Sequence, residues 1–236
     1  MNKKVFVDQP GWLGDIIFVM AIAQKYANDG YVVDYPIYDE YLEPASIQKN
    51  FPTINFIARS KFHNYSKYYG TSKLEDDEYI YLPFIANYHK HPSNNHMRYK
   101  YEMLNFPLDM WRNVEIVRDF NAEQKLIDKL NILPDEKFNL INANYSTYYK
   151  KIGQMSLMMN NSYRNIHMSI IDEFNLFDWI GVIEKATTIH TIHTAIHYIL
   201  DVLPNITNEL HIYPRIELND SHDRIKFLFE KNYIYH

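Results

Sequence analysis

Residues 5–17 read Val5-Phe6-Val7-Asp8-Gln9-Pro10-Gly11-Trp12-Leu13-Gly14-Asp15-Ile16-Ile17, a short apolar run that meets a turn and then an apolar helix. The three apolar residues predict a buried strand, Pro10-Gly11 and Gly14 punctuate a turn, and residues 15–29 predict a helix closed by Gly30. A strand that passes through a tight loop into a helix opens an α/β unit. In open α/β sheets the loop at a strand's carboxyl end faces the ligand crevice, so Asp15 stands at a working position. An aspartate there equally serves the helix itself, as a cap or as a charge at the positive end of the dipole. The residues alone leave both uses open.

Working outward, Tyr31 to Tyr35 predicts a second strand, residues 40–50 a helix, and Ile54 to Ile57 a third strand, which together make a βαβαβ half-unit. A long loop follows, with Lys61, His63, Lys67, Tyr68, Tyr69 and Lys73, then the acidic run Glu75-Asp76-Asp77-Glu78 and a strand from Tyr79 to Leu82. Loops of that length in compact domains carry function or move. The stretch NYHKHPSNNHMRYKY, residues 87–101, holds Lys90, Arg98, Lys100, three histidines and several aromatics, and no acid. Such a surface suits an acceptor whose phosphates meet cations and whose bases or sugars stack on rings. It also reads as a solvated loop and the start of a helix. His89, His91 and His96 have neither carboxylate nor cysteine beside them and make a poor metal set.

Near residue 110 the chain changes character, and we expect two domains, residues 1–112 and 113–236. The second begins with a strand at Val114 to Val117, an amphipathic helix over residues 122–132, and a strand from Phe138 to Asn142. Asn144 and Lys150 or Lys151 then follow a strand end, in position to meet a phosphate or acceptor group. Residues 165–171 predict a strand, and Asn175 with Asp178 the capped start of a helix to Ala186. A strand at 187–192, a turn at His193-Thr194, a helix at 195–203, a strand at 210–213 and a final helix through Ile225, Phe227 and Leu228 complete the chain. Arg215 lies just past a strand end.

Two strings carry a resemblance. GWLGDIIFVMAIAQKYANDG, from Gly11 to Gly30, resembles the amino-terminal motif of heptosyltransferase-type glycosyltransferases. DWIGVIEKATTIHTIHTAIHYILD, from Asp178 to Asp201, resembles more loosely the nucleotide-sugar-binding half of the same enzymes. The resemblance implies an α/β chain of minimal GT-B form, two Rossmann-like domains facing across a cleft. It implies Asp15 as the base on the acceptor hydroxyl, with Gly11, Trp12 and Gly14 around the acceptor; the middle of the chain carries no resemblance, and Lys90, Arg98 and Lys100 are expected as acceptor contacts from the chemistry of their basic, aromatic stretch alone. On the donor side it implies Thr191, His193, Thr194 and Ala195 on the diphosphate at a helix amino terminus, and Glu184 near the ribose. Family members usually carry a small or acidic residue where His193 stands, so this chain departs there. No cofactor is implied, only a nucleoside-diphosphate sugar, such as a UDP-sugar, as donor substrate.

Composition narrows the alternatives. The chain has 236 residues, 47% of them hydrophobic, enough to bury a core, and no apolar run of membrane-spanning length. Met1-Asn2-Lys3-Lys4 leads into a strand and not into a signal sequence, so a cytoplasmic location is expected. With no cysteine there is no disulfide, thiolate nucleophile or Cys-based zinc site. A net charge of -5 argues against bulk binding of nucleic acid without excluding a local basic face. The 21 tyrosines, with abundant Asn, Lys and Ile, are the alphabet of an AT-rich genome such as a T-even-like phage or a large virus. With that alphabet and the basic stretch, a hydroxymethylated base in DNA is the expected acceptor, ahead of a glycan or lipid-linked sugar. The six glycines supply neither GxGxxG nor GxxxxGK, and Asp-x-Asp, GxSxG and HExxH are absent. His190, His193 and His197 are spaced to share one face of a continuous helix and hold a metal, but the intervening Thr and Ile favour strand.

Overall fold

A computed structural model describes residues 3–9, 12–42, 47–61, 74–75, 79–84, 97–147, 151–154, 162–214 and 225–236. Gly11, Lys90, Lys150, Arg215, the three histidines at 89, 91 and 96, and most of the loop and acidic run after Lys61 lie outside them. The chain forms two compact units, Met1–Val117 and Arg118–His236.

The first unit is built as its opening stretch predicts. Strand β1 (Lys4–Asp8) buries Val5 and Val7, and helix α1 (Leu13–Asn28) follows. Eleven of the helix's residues are buried, so it is apolar on nearly every side and is covered on more than one face. Phe18 packs on Tyr101 and Trp111, with ring centroids at 5.1 and 5.6 Å. Gly30, at φ 91°, takes the left-handed conformation that closes the helix. Strands β2 (Val32–Ile37), β3 (Ile54–Ala58), β4 (Leu74–Glu75) and β5 (Tyr79–Pro83) complete a sheet in the order β3-β2-β1-β5-β4, parallel except for β4. The chain winds outward from β1 to β3, then returns to the other side of β1. The β1/β5 boundary is therefore a topological switch point.

Two expected elements of this unit do not form. Residues 40–50 contain Pro44, which is incompatible with a helix interior, and the described parts are two short 3-10 turns, Asp39–Tyr41 and Ile47–Asn50. Val114 to Val117 is extended but joins no strand, because its backbone is already taken. The Gln24 side chain donates to Glu115 O at 2.6 Å and accepts from Glu115 N at 2.9 Å, while Asn50 and Val117 exchange two bonds at 2.9 and 3.0 Å. These contacts place residues 113–117 with the first unit, so the division falls five residues beyond the expected one. Short helix α2 (Arg98–Glu102) docks by Tyr99 Oη donating to Pro83 O at 2.8 Å and Tyr101 Oη to Phe18 O at 2.5 Å.

In the second unit α3 (Phe120–Lys129) precedes β6 (Phe138–Asn142), and a two-stranded hairpin, β7 (Asn144–Thr147) and β8 (Lys151–Gln154), leads to β9 (Arg164–His167). Asn175 and Asp178 make the expected capping box, although the first turn is 3-10 (Leu176–Trp179) before α4 (Ile180–Lys185). Strand β10 (Thr188–Ile192), helix α5 (Ala195–Val202) and strand β11 (Glu209–Tyr213) follow as a βαβ unit. The final helix does not form. Residues Lys226–Leu228 make one 3-10 turn, and Tyr233–Tyr235 becomes β12, paired parallel to β11. Asp201 draws that segment in, accepting from Glu230 N, Lys231 N and Tyr233 Oη. The sheet order is β12-β11-β10-β6-β9, all parallel, with its switch point at β6 and β10. A polar ladder crosses it, buried at Thr188 and Asn139 and exposed at Asn165: Thr188 Oγ1 donates to Asn139 Oδ1 at 2.5 Å, and Asn139 Nδ2 to Asn165 Oδ1 at 2.8 Å. Among the described residues no helix is long and apolar enough to cross a membrane.

Candidate functional site

The carboxyl edge of each sheet gathers polar groups at its switch point. In the first unit Asp15 stands in the opening turn of α1, whose N-cap is Trp12. The Trp12 ring lies 6.1 Å from that of Tyr38, just past β2, and Gly14 is buried. Lys100 Nζ is 3.5 Å from Asp15 Oδ1, and the two side chains are 2% and 24% exposed. The lysine expected on a basic surface is thus turned inward: it lies over the Phe18 ring at 5.8 Å and 3.8 Å from Met97 Sδ. Burial pushes its ammonium below the ordinary lysine value, with Asp15 working in the opposite direction. Arg98, on the same helix, is exposed.

Groups that sequence reasoning did not select stand at the same edge. Asp8 closes β1 and is buried, its Oδ2 accepting from Tyr81 Oη at 2.5 Å and its Oδ1 lying 3.7 Å from Arg59 Nη1. Burial raises its carboxyl above the usual carboxylate value, against the Tyr81 hydrogen bond and the Arg59 charge. Tyr35, wholly buried on β2, is held well above the usual phenol value, first by burial and then by the charge of Asp15. The signal available in sequence was positional: Asp8-Gln9 and Arg59 are polar residues placed where apolar strands end.

In the second unit the turn between β10 and α5 is organised by Asn142 at the end of β6. Asn142 Nδ2 donates to Thr191 Oγ1 at 2.8 Å and to Thr194 Oγ1 at 2.7 Å. Thr194 is the N-cap of α5 but makes no side-chain capping bond, so the first-turn N-H groups of the helix gain no partner from it. Thr191, His193, Thr194 and Ala195 are therefore together at one helix amino terminus. Glu184 is not with them. It ends α4, ahead of the amino end of β10, and a five-residue strand, on the order of 15 Å long, separates it from the turn. There it binds Arg118 by two bonds at 2.7 Å. Asn144 is exposed on the separate hairpin.

The three histidines diverge as well. His193 and His197 approach with Nδ1 to Nδ1 at 3.0 Å, and the His197 ring stacks on Phe229. His190, on the strand, bonds Tyr213 Oη at 3.1 Å and stacks on His211 at 4.4 Å. Among the described residues no group of three or more His, Asp or Glu side chains is arranged to hold a metal ion. His190 is 4% exposed and is held at about 4, well below the ordinary imidazole value, by burial first and then by His211 and His236. A base with a depressed folded-state value favours the fold while neutral and weakens it when protons bind the unfolded chain better. Stability should therefore fall as pH drops from about 6.5 to about 4, by about 3 kcal/mol from this residue. Denaturant titrations of the protein and of His190→Gln across that range test this: the variant's acid limb should be flatter, and parallel limbs would refute it.

No protein-family model matches the chain, and no curated protein matches it either. Among solved structures it is similar to a family 9 glycosyl transferase from Veillonella parvula, with 11% identity and a TM-score of 0.50 over 91% of this chain and 81% of that one. It is also similar to TibC, an iron-containing dodecameric glycosyltransferase of enterotoxigenic E. coli, with 8% identity and a TM-score of 0.47 over 90% of this chain. TibC in complex with ADP-D-beta-D-heptose gives 9% and 0.42 over 84%. The chain spans 58% and 55% of the length of those two TibC structures. At such identities the likeness is one of fold, and the fold class expected from sequence, an α/β chain with two Rossmann-like halves, is the one found.

Proposed function

We propose that the protein is an inverting, metal-independent glycosyltransferase that moves a sugar from a nucleoside-diphosphate sugar to an acceptor hydroxyl in the cytoplasm. The observation that carries this reading is a carboxylate in the first turn of α1, at the carboxyl edge of a sheet, on a fold similar to that of a family 9 glycosyl transferase. In an inverting transfer the acceptor oxygen attacks the anomeric carbon opposite the leaving diphosphate. A base must take the acceptor proton, and donors must meet the developing diphosphate charge. Asp15 has the first role and the turn from Thr191 to Ala195 the second, with Asn142 holding both threonine hydroxyls in place. For the acceptor, the AT-rich alphabet and the basic, aromatic stretch at residues 87–101 favour a hydroxymethylated base in DNA. Of the cations in that stretch, Arg98 is exposed and Lys100 is committed to Asp15.

The test is mass spectrometry of the full chain incubated, in EDTA, with a panel of sugar nucleotides and with hydroxymethylated DNA or oligosaccharide acceptors. Transfer in chelator is expected. Nucleotide binding without transfer to any acceptor would make the protein a binding module, and loss of transfer on chelation would overturn metal independence. The donor turn has its own test. Thr194→Ala should weaken nucleoside-diphosphate binding by about 0.5 to 1.5 kcal/mol, and up to about 3 if the lost bond is to charge, with nucleoside binding little changed. Equal diphosphate affinity by calorimetry would remove this turn from the site.

A further inference from the structure

A buried polar atom with no partner is rare, because it has given up water and received nothing in return. Among the described residues Asp8 Oδ1, Gln9 Oε1, Tyr35 Oη and Arg59 Nη1 are in that state, and all four belong to the first unit's sheet around its carboxyl edge. Asp8 and Gln9 are only 6% and 5% exposed. They end β1 beside β5, at the switch point where open α/β sheets take their ligands. Arg59 Nη1 and Asp8 Oδ1 are 3.7 Å apart, close enough to attract and too far to hydrogen-bond. The other Asp8 oxygen is already spent on Tyr81.

Apart from the Tyr35 hydroxyl, wholly buried on β2, what remains unspent is one carboxylate oxygen, one amide oxygen and one guanidinium N-H. The two oxygens require donors and the guanidinium an acceptor, and a hydroxyl group is both. A phosphate would satisfy Arg59 and lie against the buried carboxylate of Asp8, and an ammonium group would satisfy Asp8 and lie against Arg59. Neutral hydroxyls alone have the chemistry for all three, donating to the two oxygens and accepting from the guanidinium. An apolar wall stands next to them: the Arg59 guanidinium is 5.8 Å from the Tyr38 ring centroid, and Tyr38 in turn neighbours Trp12, three residues before Asp15. Aromatic rings of this kind carry the C-H face of a sugar while polar groups fix its hydroxyls.

We infer that Asp8, Gln9 and Arg59 form a subsite for the vicinal hydroxyls of a sugar residue, with Tyr38 as its wall, and that this residue belongs to the acceptor. The assignment to the acceptor rests on the reading of Asp15 as the acceptor's base. A hydroxymethylated base would bring a flat ring with one hydroxyl, which leaves part of the cluster unspent.

The experiment uses the full chain labelled with 5-fluorotryptophan, with the Trp12 fluorine signal assigned by Trp12→Phe. Methyl glycosides of glucose, galactose, mannose and N-acetylglucosamine are titrated in, and 5-hydroxymethyldeoxycytidine monophosphate in parallel. At least one glycoside should shift the Trp12 signal saturably, and its analogue lacking one ring hydroxyl should bind about tenfold more weakly or worse. Asp8→Asn and Gln9→Leu should each lose about tenfold or more in affinity, and Gln9→Leu should do so without lowering the thermal midpoint, since its amide oxygen has no partner inside the protein. A structural role would lower the midpoint instead. No response to any glycoside, equal affinity in the variants, or binding of the nucleotide in their place would each overturn the inference. UDP and ADP titrated into the same samples report separately on the donor turn. Nucleotide binding without glycoside binding sinks the subsite and spares the transferase reading, and the reverse result does the opposite.

Discussion

Asp15→Asn should abolish sugar transfer, lowering kcat by about 100-fold or more, while donor affinity stays within about twofold. The substitution keeps the shape of the side chain and removes its ability to accept a proton, so the loss falls on the step in which the acceptor hydroxyl is deprotonated. The turn proposed for the donor belongs to the second unit and is held by Asn142. The same change takes away the charge partner of Lys100, whose side chain is 2% exposed, so the variant should also unfold at lower temperature. Assays are therefore run below its midpoint, beside Lys100→Met, which separates lost stability from lost chemistry. Transfer within about threefold of the unchanged protein would remove Asp15 from the reaction.

That contrast marks how far the sequence could be read. The passage from Val5 to Ile17 was legible because an apolar run, two glycine turns and an apolar helix leave few other structures open to it. The central strands of the second unit, built largely from Ile, Leu and Thr, were legible for the same reason. Lys100 was not. Its neighbours in sequence are basic and polar, which suggests a wet surface, but Tyr99 and Tyr101 on either side anchor their hydroxyls on Pro83 O and Phe18 O and carry the lysine inward. Asp8, Gln9 and Arg59 were overlooked because about 50 residues separate the first two from the third, and no local pattern links them. The β12 strand depends on the open edge of β11 and on Asp201, 32 residues before Tyr233. Glu184 fits a pattern of spacing and is nevertheless committed to an arginine at the far end of its helix.

Arg118→Leu should cost about 3 to 5 kcal/mol in stability, measured by urea denaturation with an unchanged slope. Arg118 holds two carboxylates at once, bonding Glu123 at 2.8 and 2.6 Å and Glu184 at 2.7 Å twice. Glu123 is only 3% exposed, and it reaches that depth because position 181 is a glycine: a Cβ there would stand 2.8 Å from Glu123 Oε2. Without Arg118 a buried charge loses its counterion, which is far costlier than losing an exposed pair. Arg118→Lys should fall between the two, because one ammonium group cannot serve two carboxylates in parallel. A loss below about 1 kcal/mol for Arg118→Leu would show that Glu123 finds water or another partner.

The polar ladder from Thr188 through Asn139 to Asn165 bears on how the chain chooses among wrong answers. Strands as apolar and β-branched as those of the second unit bury well in more than one alignment, so hydrophobic burial by itself discriminates poorly between them. Thr188 lies opposite Asn139, and Asn139 opposite Asn165, in one alignment only. A slip by one residue turns alternate side chains to the other face and strands an amide that is 0% exposed in an apolar layer, a penalty of a few kcal/mol per orphaned group. The asparagines thus act less as adhesive than as proofreading, making mispaired sheets the ones that fail to close.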